Sequence, residues 1–100
     1  MVIKLLTWVI YDITDNKIRR KVIKECKNIG LYRVQKSVFL GDIEDNDFDE
    51  IKIKMEDMVN LDEDSVYIFP MSKKELNKAG LIGQAFDKEL VTDEIISKFF

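Results

Sequence analysis

The chain has no histidine at all, and its 100 residues hold one cysteine, one proline and four glycines. Without imidazole it lacks the commonest general base, the usual zinc ligand and every serine or cysteine triad built on histidine. The single Cys26 excludes an internal disulfide and a cysteine-based zinc site. No apolar run approaches the ~18 residues of a membrane span, and Lys4 interrupts the early one. Neither a span nor a signal peptide is therefore expected, and the chain reads as cytoplasmic, with no membrane partner. Repeats and low-complexity tracts are missing too. One domain is expected, and at this size a dimer would be a natural way to bury more surface.

What the chain does have is a strong division of charge. The net charge of −3 hides a segment, residues 16–36, with eight basic residues against the one acid Glu25, a local net of +7 that leaves −10 for the remainder. Residues 42–64 hold eleven acids and two lysines. Bulk charge thus gives no argument for a nucleic-acid partner, whereas one basic face does.

The rest of the chain is arranged around residues 2–15, VIKLLTWVIYDITD, a β-branched and aromatic run that ends abruptly at Tyr11-Asp12. With Lys4 as the only charge before Asp12, it reads as a strand buried on both faces and central in its sheet. Thr14 or Asp15 can cap the helix that follows. Ile18, Val22, Cys26 and Ile29 form one helical stripe over residues 16–29, with Gly30 as the stop. Lys17, Arg20, Lys21, Lys24 and Lys27 fall away from that stripe and make the outer face basic.

Residues 31–43 alternate, with Tyr32, Val34, Lys36, Val38 and Leu40 on one side and Arg33, Gln35, Ser37 and Phe39 on the other. Thirteen residues is long for one strand, and a bend at residues 35–37 would make two. Phe48, Ile51, Met55 and Met58 predict a second amphipathic helix over residues 47–60, acidic on its solvent side. SVYIFPM, residues 65–71, is a short strand with Pro70 near its end, and residues 72–79 fit a helical turn. The order of elements predicts an α+β, ferredoxin-like βαββαβ sandwich, an antiparallel sheet with two helices on one face. Residues 1–83 would form that domain and residues 84–100 a tail with seven large apolar residues, suited either to docking on a partner or to a short terminal helix that packs on its own subunit.

Asp12 sits where a buried strand delivers a carboxylate to the edge of the sheet. An isolated aspartate there most often makes a turn or caps a helix; the functional reading is a magnesium or manganese ligand, since a hard cation needs one or two protein carboxylates beside waters and phosphate oxygens. A two-fold dimer would bring two copies of Asp12 to one axis. Tyr11 fits the core. Arg19 lies at the margin of the stripe and could reach back over the sheet. Arg33 and Phe39 on one face suit a phosphate and a stacked base, and also suit a solvated cation and an ordinary core phenylalanine. Cys26, on the buried stripe, is a core residue.

These residues resemble a family. YDITDNKIRRKV followed by GLYRVQKSVFLGD is similar to the signature of the small CRISPR-associated protein Cas-two, which accompanies the integrase Cas-one in spacer acquisition. The likeness is close over residues 2–42 and looser over the later helix and SVYIFP. The resemblance implies a homodimer of ferredoxin-like subunits with paired aspartates, here Asp12, at the interface. It implies that the alternating run is two strands, and it places Tyr11, Arg19, Arg33, Ser37 and Phe39 at positions used for nucleic-acid contact or cleavage. Where some members carry a second arginine two residues after the first, this chain has Lys21, which keeps the charge and loses bidentate phosphate geometry. Two functions follow from it. One is a Mg²⁺- or Mn²⁺-dependent endonuclease, a phosphodiesterase acting on RNA or double-stranded DNA, with Asp12 as catalytic residue and metal ligand. The other is a DNA-binding dimer that bridges the integrase, with Arg20, Lys21 and Lys24 on the backbone. A stand-alone endoribonuclease of toxin type shares the fold and is the alternative.

Overall fold

Nine residues of alternating bulk, KLLTWVIYD, make β1 (Lys4–Asp12), and residues 6–9 within it are buried on both faces of the sheet. The computed structural model describes residues 2–83. After β1 come α1 (Asn16–Asn28), β2 (Tyr32–Gln35), β3 (Val38–Glu44), α2 (Asp45–Met58), β4 (Ser65–Pro70) and α3 (Lys73–Lys78). The four strands are antiparallel in the order β2-β3-β1-β4, so β1 is central, and the fold is a ferredoxin-like α+β sandwich.

The strand period of two divides β1 between two cores. Val9, Tyr11 and Ile13 join Val22 and Cys26 of α1, Phe39 and Ile43 of β3, and Phe48, Ile51 and Met55 of α2 in one cluster. Leu6 and Trp8 turn to the opposite face, where Leu40 and Leu76 of α3 complete a smaller one. α3 covers only part of that second face. Beyond it, Tyr67, which pairs with Ile10, is 62% exposed and Tyr32, which pairs with Leu40, is 37% exposed.

Local chemistry sets the ends of α1. The Asp15 carboxylate accepts from Lys17 N at 2.7 Å and Ile18 N at 3.0 Å, capping two free amides of the first turn. At the other end Gly30, with φ of +97°, turns the chain out of the helix. Gly30 N then donates to Lys27 O and Leu31 N to Cys26 O, which satisfies two terminal carbonyls. A side chain at Gly30 would be strained by that backbone conformation.

Two expectations are adjusted. The second helix begins at Asp45 and ends at Met58, not over 47–60, because Asp45 and Asp47 favour the positive end of the helix and Val59 is already extended. The alternation of residues 31–43 is broken by a register shift: Arg33 pairs with Phe39, but Gln35 pairs with Val38. Val34 is the extra residue of that bulge, so Gln35 shares a face with Val38 and not with Phe39. Residues 80–83 form no regular element, and the 84–100 tail lies outside the described residues, together with the docking expected of it.

Candidate nucleic-acid interface and strand-end carboxylate

Asp12 is the last residue of β1, exposed, and paired with Ser65 at the start of β4. By alternation it belongs to the face of Leu6, Trp8 and Ile10, opposite α1 and α2. The adjoining loops are tied together rather than left loose. Asp64 Oδ1 accepts from Thr14 N at 3.3 Å and Asp64 Oδ2 from Asn60 N at 2.9 Å, which joins the loop after α2 to the loop after β1. A rigid strand therefore presents the Asp12 carboxylate, and braced loops flank it.

The residues expected at the site divide into two groups. Arg20, Lys21 and Lys24 are exposed on α1, as are Lys17 and Lys27. Arg19 is half-buried, and its Nη2 donates to Thr14 O at 3.4 Å and to Asn16 Oδ1, so the guanidinium folds back toward the β1–α1 loop. These side chains form a cationic surface that begins a few residues after Asp12. Lys54 of α2 bonds Glu25 and Glu50, both at 3.2 Å, and so ties this helix to the acidic one. Those bonds, the one to Glu25 first, raise the Lys54 ammonium above its ordinary value.

Tyr11 and Phe39 are buried, at 3% and 0% exposure, and their rings stack on each other with centroids 6.3 Å apart. Neither ring offers a free face to a base in this conformation. The Tyr11 hydroxyl donates to Lys36 O at 2.8 Å. Burial raises its pKa, partly opposed by the nearby Arg33 guanidinium. Arg33 is exposed, yet its Nε and Nη2 donate to the same Lys36 oxygen at 3.2 and 2.8 Å. Ser37, half-buried in the turn, accepts from Tyr11 N through its carbonyl at 3.0 Å. Asp12, Tyr11, Arg33 and Ser37 thus meet at one end of the sheet, while Phe39 lies in the core.

No group of three or more His, Cys, Asp or Glu residues among the described residues could hold a metal ion. Asp12 supplies hard oxygen donors suited to Mg²⁺ or Mn²⁺, and its exposure leaves room for the waters such ions retain. One carboxylate is half of a two-carboxylate site, so the donor set fits the ion when two copies of Asp12 meet. Cys26 is fully buried with its thiol pushed up to about 12, chiefly by burial, and is no ligand or nucleophile.

Sequence reasoning missed two features of the structure. The first is the Lys36 carbonyl, which no pattern of side chains reveals. The second is Asp42, 4% exposed, with neither carboxylate oxygen partnered among the described residues. Its place between Leu40 and Glu44 on one face of β3 was a usable signal.

The fold and this strand end define a small ferredoxin-like domain with an exposed carboxylate at the end of its central strand and a basic helix following it in the chain. The model of the family described as CRISPR associated protein Cas2 matches residues 5–79, and the chain belongs to that family. A curated relative from Desulforudis audaxviator, named a CRISPR-associated endoribonuclease Cas2, is 40% identical over 70 residues, covering 70% of this chain and 66%, just under two thirds, of its own length. A relative of the same name from Korarchaeum cryptofilum is 32% identical over 76 residues, covering 76% of this chain and 82% of its own. Among solved structures, Streptococcus pyogenes Cas2 at pH 6.5 superposes with a TM-score of 0.67 at 26% identity, over 79% of this chain and all of that one. A hypothetical protein, TT1823 from Thermus thermophilus, gives a TM-score of 0.64 at 30% identity, over 69% of this chain and 83% of its own.

Proposed function

We propose that two copies of this chain associate and cleave a phosphodiester bond, with RNA as the favoured substrate, at a centre built from both Asp12 carboxylates. The observation that carries the reading is Asp12 itself, exposed at the end of the central strand and on the face that α3 leaves partly open. Tyr67 and Tyr32 on that face are apolar surface that a second copy would cover. The names of the relatives favour RNA.

The chemistry divides among residues the chain supplies. Arg20, Lys21 and Lys24 take the backbone by charge, independently of sequence. Arg19 lies beside the loop that leads out of β1, where its cation offsets charge developing on a phosphate. The Asp12 pair would hold Mg²⁺ or Mn²⁺, which polarises a phosphate and lowers the pKa of bound water when present. A strand-end carboxylate needs no imidazole for that role, in keeping with a chain that has no histidine. Bridging to the integrase belongs to the same proposal and rests on family membership; co-purification with and without residues 84–100 measures it.

The deciding experiment is Asp12→Asn in the full chain, assayed for cleavage of single-stranded RNA and of duplex DNA with added Mg²⁺. Loss of at least a hundredfold in cleavage, with nucleic-acid binding unchanged, is expected, in line with removal of a charged group at a reacting centre. Undiminished cleavage, or cleavage that resists a chelator, would remove Asp12 from the chemistry.

A further inference from the structure

A two-residue hairpin loop normally adopts a primed turn, whose twist matches that of its strands and requires positive φ. The β2–β3 loop is Lys36-Ser37, and no non-glycine residue among those described has positive φ. The turn is therefore unprimed and tends to splay its strands. The bulge at Val34 absorbs part of that misfit. The rest is held by hydrogen bonds to the turn from β1 and from β2 itself. One carbonyl, Lys36 O, accepts from the Tyr11 hydroxyl at 2.8 Å and from Arg33 Nη2 and Nε at 2.8 and 3.2 Å. Tyr11 N adds a bond to Ser37 O at 3.0 Å. Both Tyr11 bonds come from the residue immediately before Asp12.

The position of that turn matters. The β1–β3 register ends with Ile10 paired to Val38, and continued two places it sets Asp12 across from Lys36. Lys36 is exposed, and its ammonium makes no ion pair with any carboxylate among the described residues.

We propose that Tyr11 and Arg33 are positioning residues that clamp the Lys36 carbonyl, and that the clamped turn presents the Lys36 ammonium to the substrate phosphate at Asp12. This rests on the reading of Asp12 as the reaction centre. Tyr11 and Arg33 act through the turn and touch no nucleic acid, whereas Lys36 is the contact. Arginine is needed at position 33 because only a guanidinium places two N–H groups on one oxygen; a lysine supplies charge without the fork.

The test uses Tyr11→Phe, Arg33→Lys, Arg33→Gln and Lys36→Ala in the full chain. Three readouts are taken: cleavage of a single-stranded RNA, the salt dependence of binding that RNA, and hydrogen exchange at the Tyr11 amide. The clamp predicts that Tyr11→Phe and Arg33→Gln lower kcat roughly tenfold or more with KM within about twofold, as loss of alignment does. Arg33→Lys should fail to restore kcat. Both Arg33 variants should leave the salt slope unchanged, while Lys36→Ala reduces it by about 0.7, the share of one neutralised phosphate on a single strand. Tyr11→Phe should speed exchange of the Tyr11 amide at least tenfold, because that N–H is bonded to the turn the hydroxyl holds. A salt slope reduced by Arg33→Gln but restored by Arg33→Lys would make Arg33 a phosphate contact and overturn the proposal. Unchanged amide exchange in Tyr11→Phe would overturn it as well. If the native chain cleaves nothing, the reading of Asp12 fails by itself, and the exchange and salt-slope results still decide whether the clamp and the Lys36 contact exist.

Discussion

Asp42 is a carboxylate placed among apolar neighbours, opposite Leu6 in the β1–β3 register, with both oxygens unpartnered among the described residues. Burial raises its pKa, opposed by Lys4 and then Lys73, so the folded state favours the neutral acid. The sign follows: folded Asp42 binds its proton more tightly than the unfolded chain does. Its stabilising effect is complete below the unfolded pKa and is lost as pH rises through the folded value. Asp42→Asn keeps the shape without the charge, and it is expected to stabilise the protein near neutral pH by about 1 kcal/mol, the scale of one unmet buried polar group. Thermal melts of both proteins should converge as the pH is lowered; a constant gap down to the acid range would show that ionisation is not the cause. The strand-end carboxylate, by contrast, was legible from the sequence, because an apolar run that stops at Tyr-Asp can only place the acid at its end. The roles of Tyr11 and Arg33 were not, since both act on a main-chain oxygen that every residue possesses.

Elements show the same division between local and non-local information. The α1 helix could be read almost to the residue, because its cap, its stripe and its glycine stop are all local chemistry. The β2–β3 register could not, because a bulge depends on which partner the strand finds. The end of α2 was misplaced by two residues for a related reason: Val59 and Asn60 fit a helical pattern but leave it to reach β4. Gly41 illustrates how closely the elements meet. A Cβ there would lie 3.1 Å from Gly30 O, from Leu31 Cα and from Leu31 Cδ2, where the exit from α1 passes over β3. Two of those three atoms are backbone, so relief requires the connection to move. Gly41→Ala should cost about 1–3 kcal/mol in denaturant unfolding, the usual cost of overpacking. A neutral result would mean that the α1–β2 connection shifts freely.

At the scale of the whole molecule, association and charge decide behaviour. The partly uncovered sheet face, and an Asp12 that is half of a two-carboxylate site, lead us to expect a dimer at micromolar concentration. Light scattering that returns a single-chain mass of 11.8 kDa at that concentration would refute it. Reversing charge at Arg20 and Lys24 should weaken duplex binding about equally for all sequences. For every phosphate that the variant no longer neutralises, the slope of log K against log salt should fall by roughly 0.9. A changed sequence preference with an unaltered slope would mean that these residues meet bases instead.

The acidic α2, packed against the basic α1 and joined to it by Lys54 and Glu25, has an effect that reaches beyond any contact. The domain carries an electric dipole across its helical layer although its overall charge is negative. Near a polyanion such a body feels a torque before it feels a surface. Collisions that lead with α2 are turned away, and those that lead with α1 are drawn in, so the molecule is aligned while still several ångströms from contact. Salt shortens the range over which that alignment operates to about 8 Å at physiological strength. The first thing added salt should take from this protein is its aim, seen as a slower approach, before it loosens the grip of the bound state.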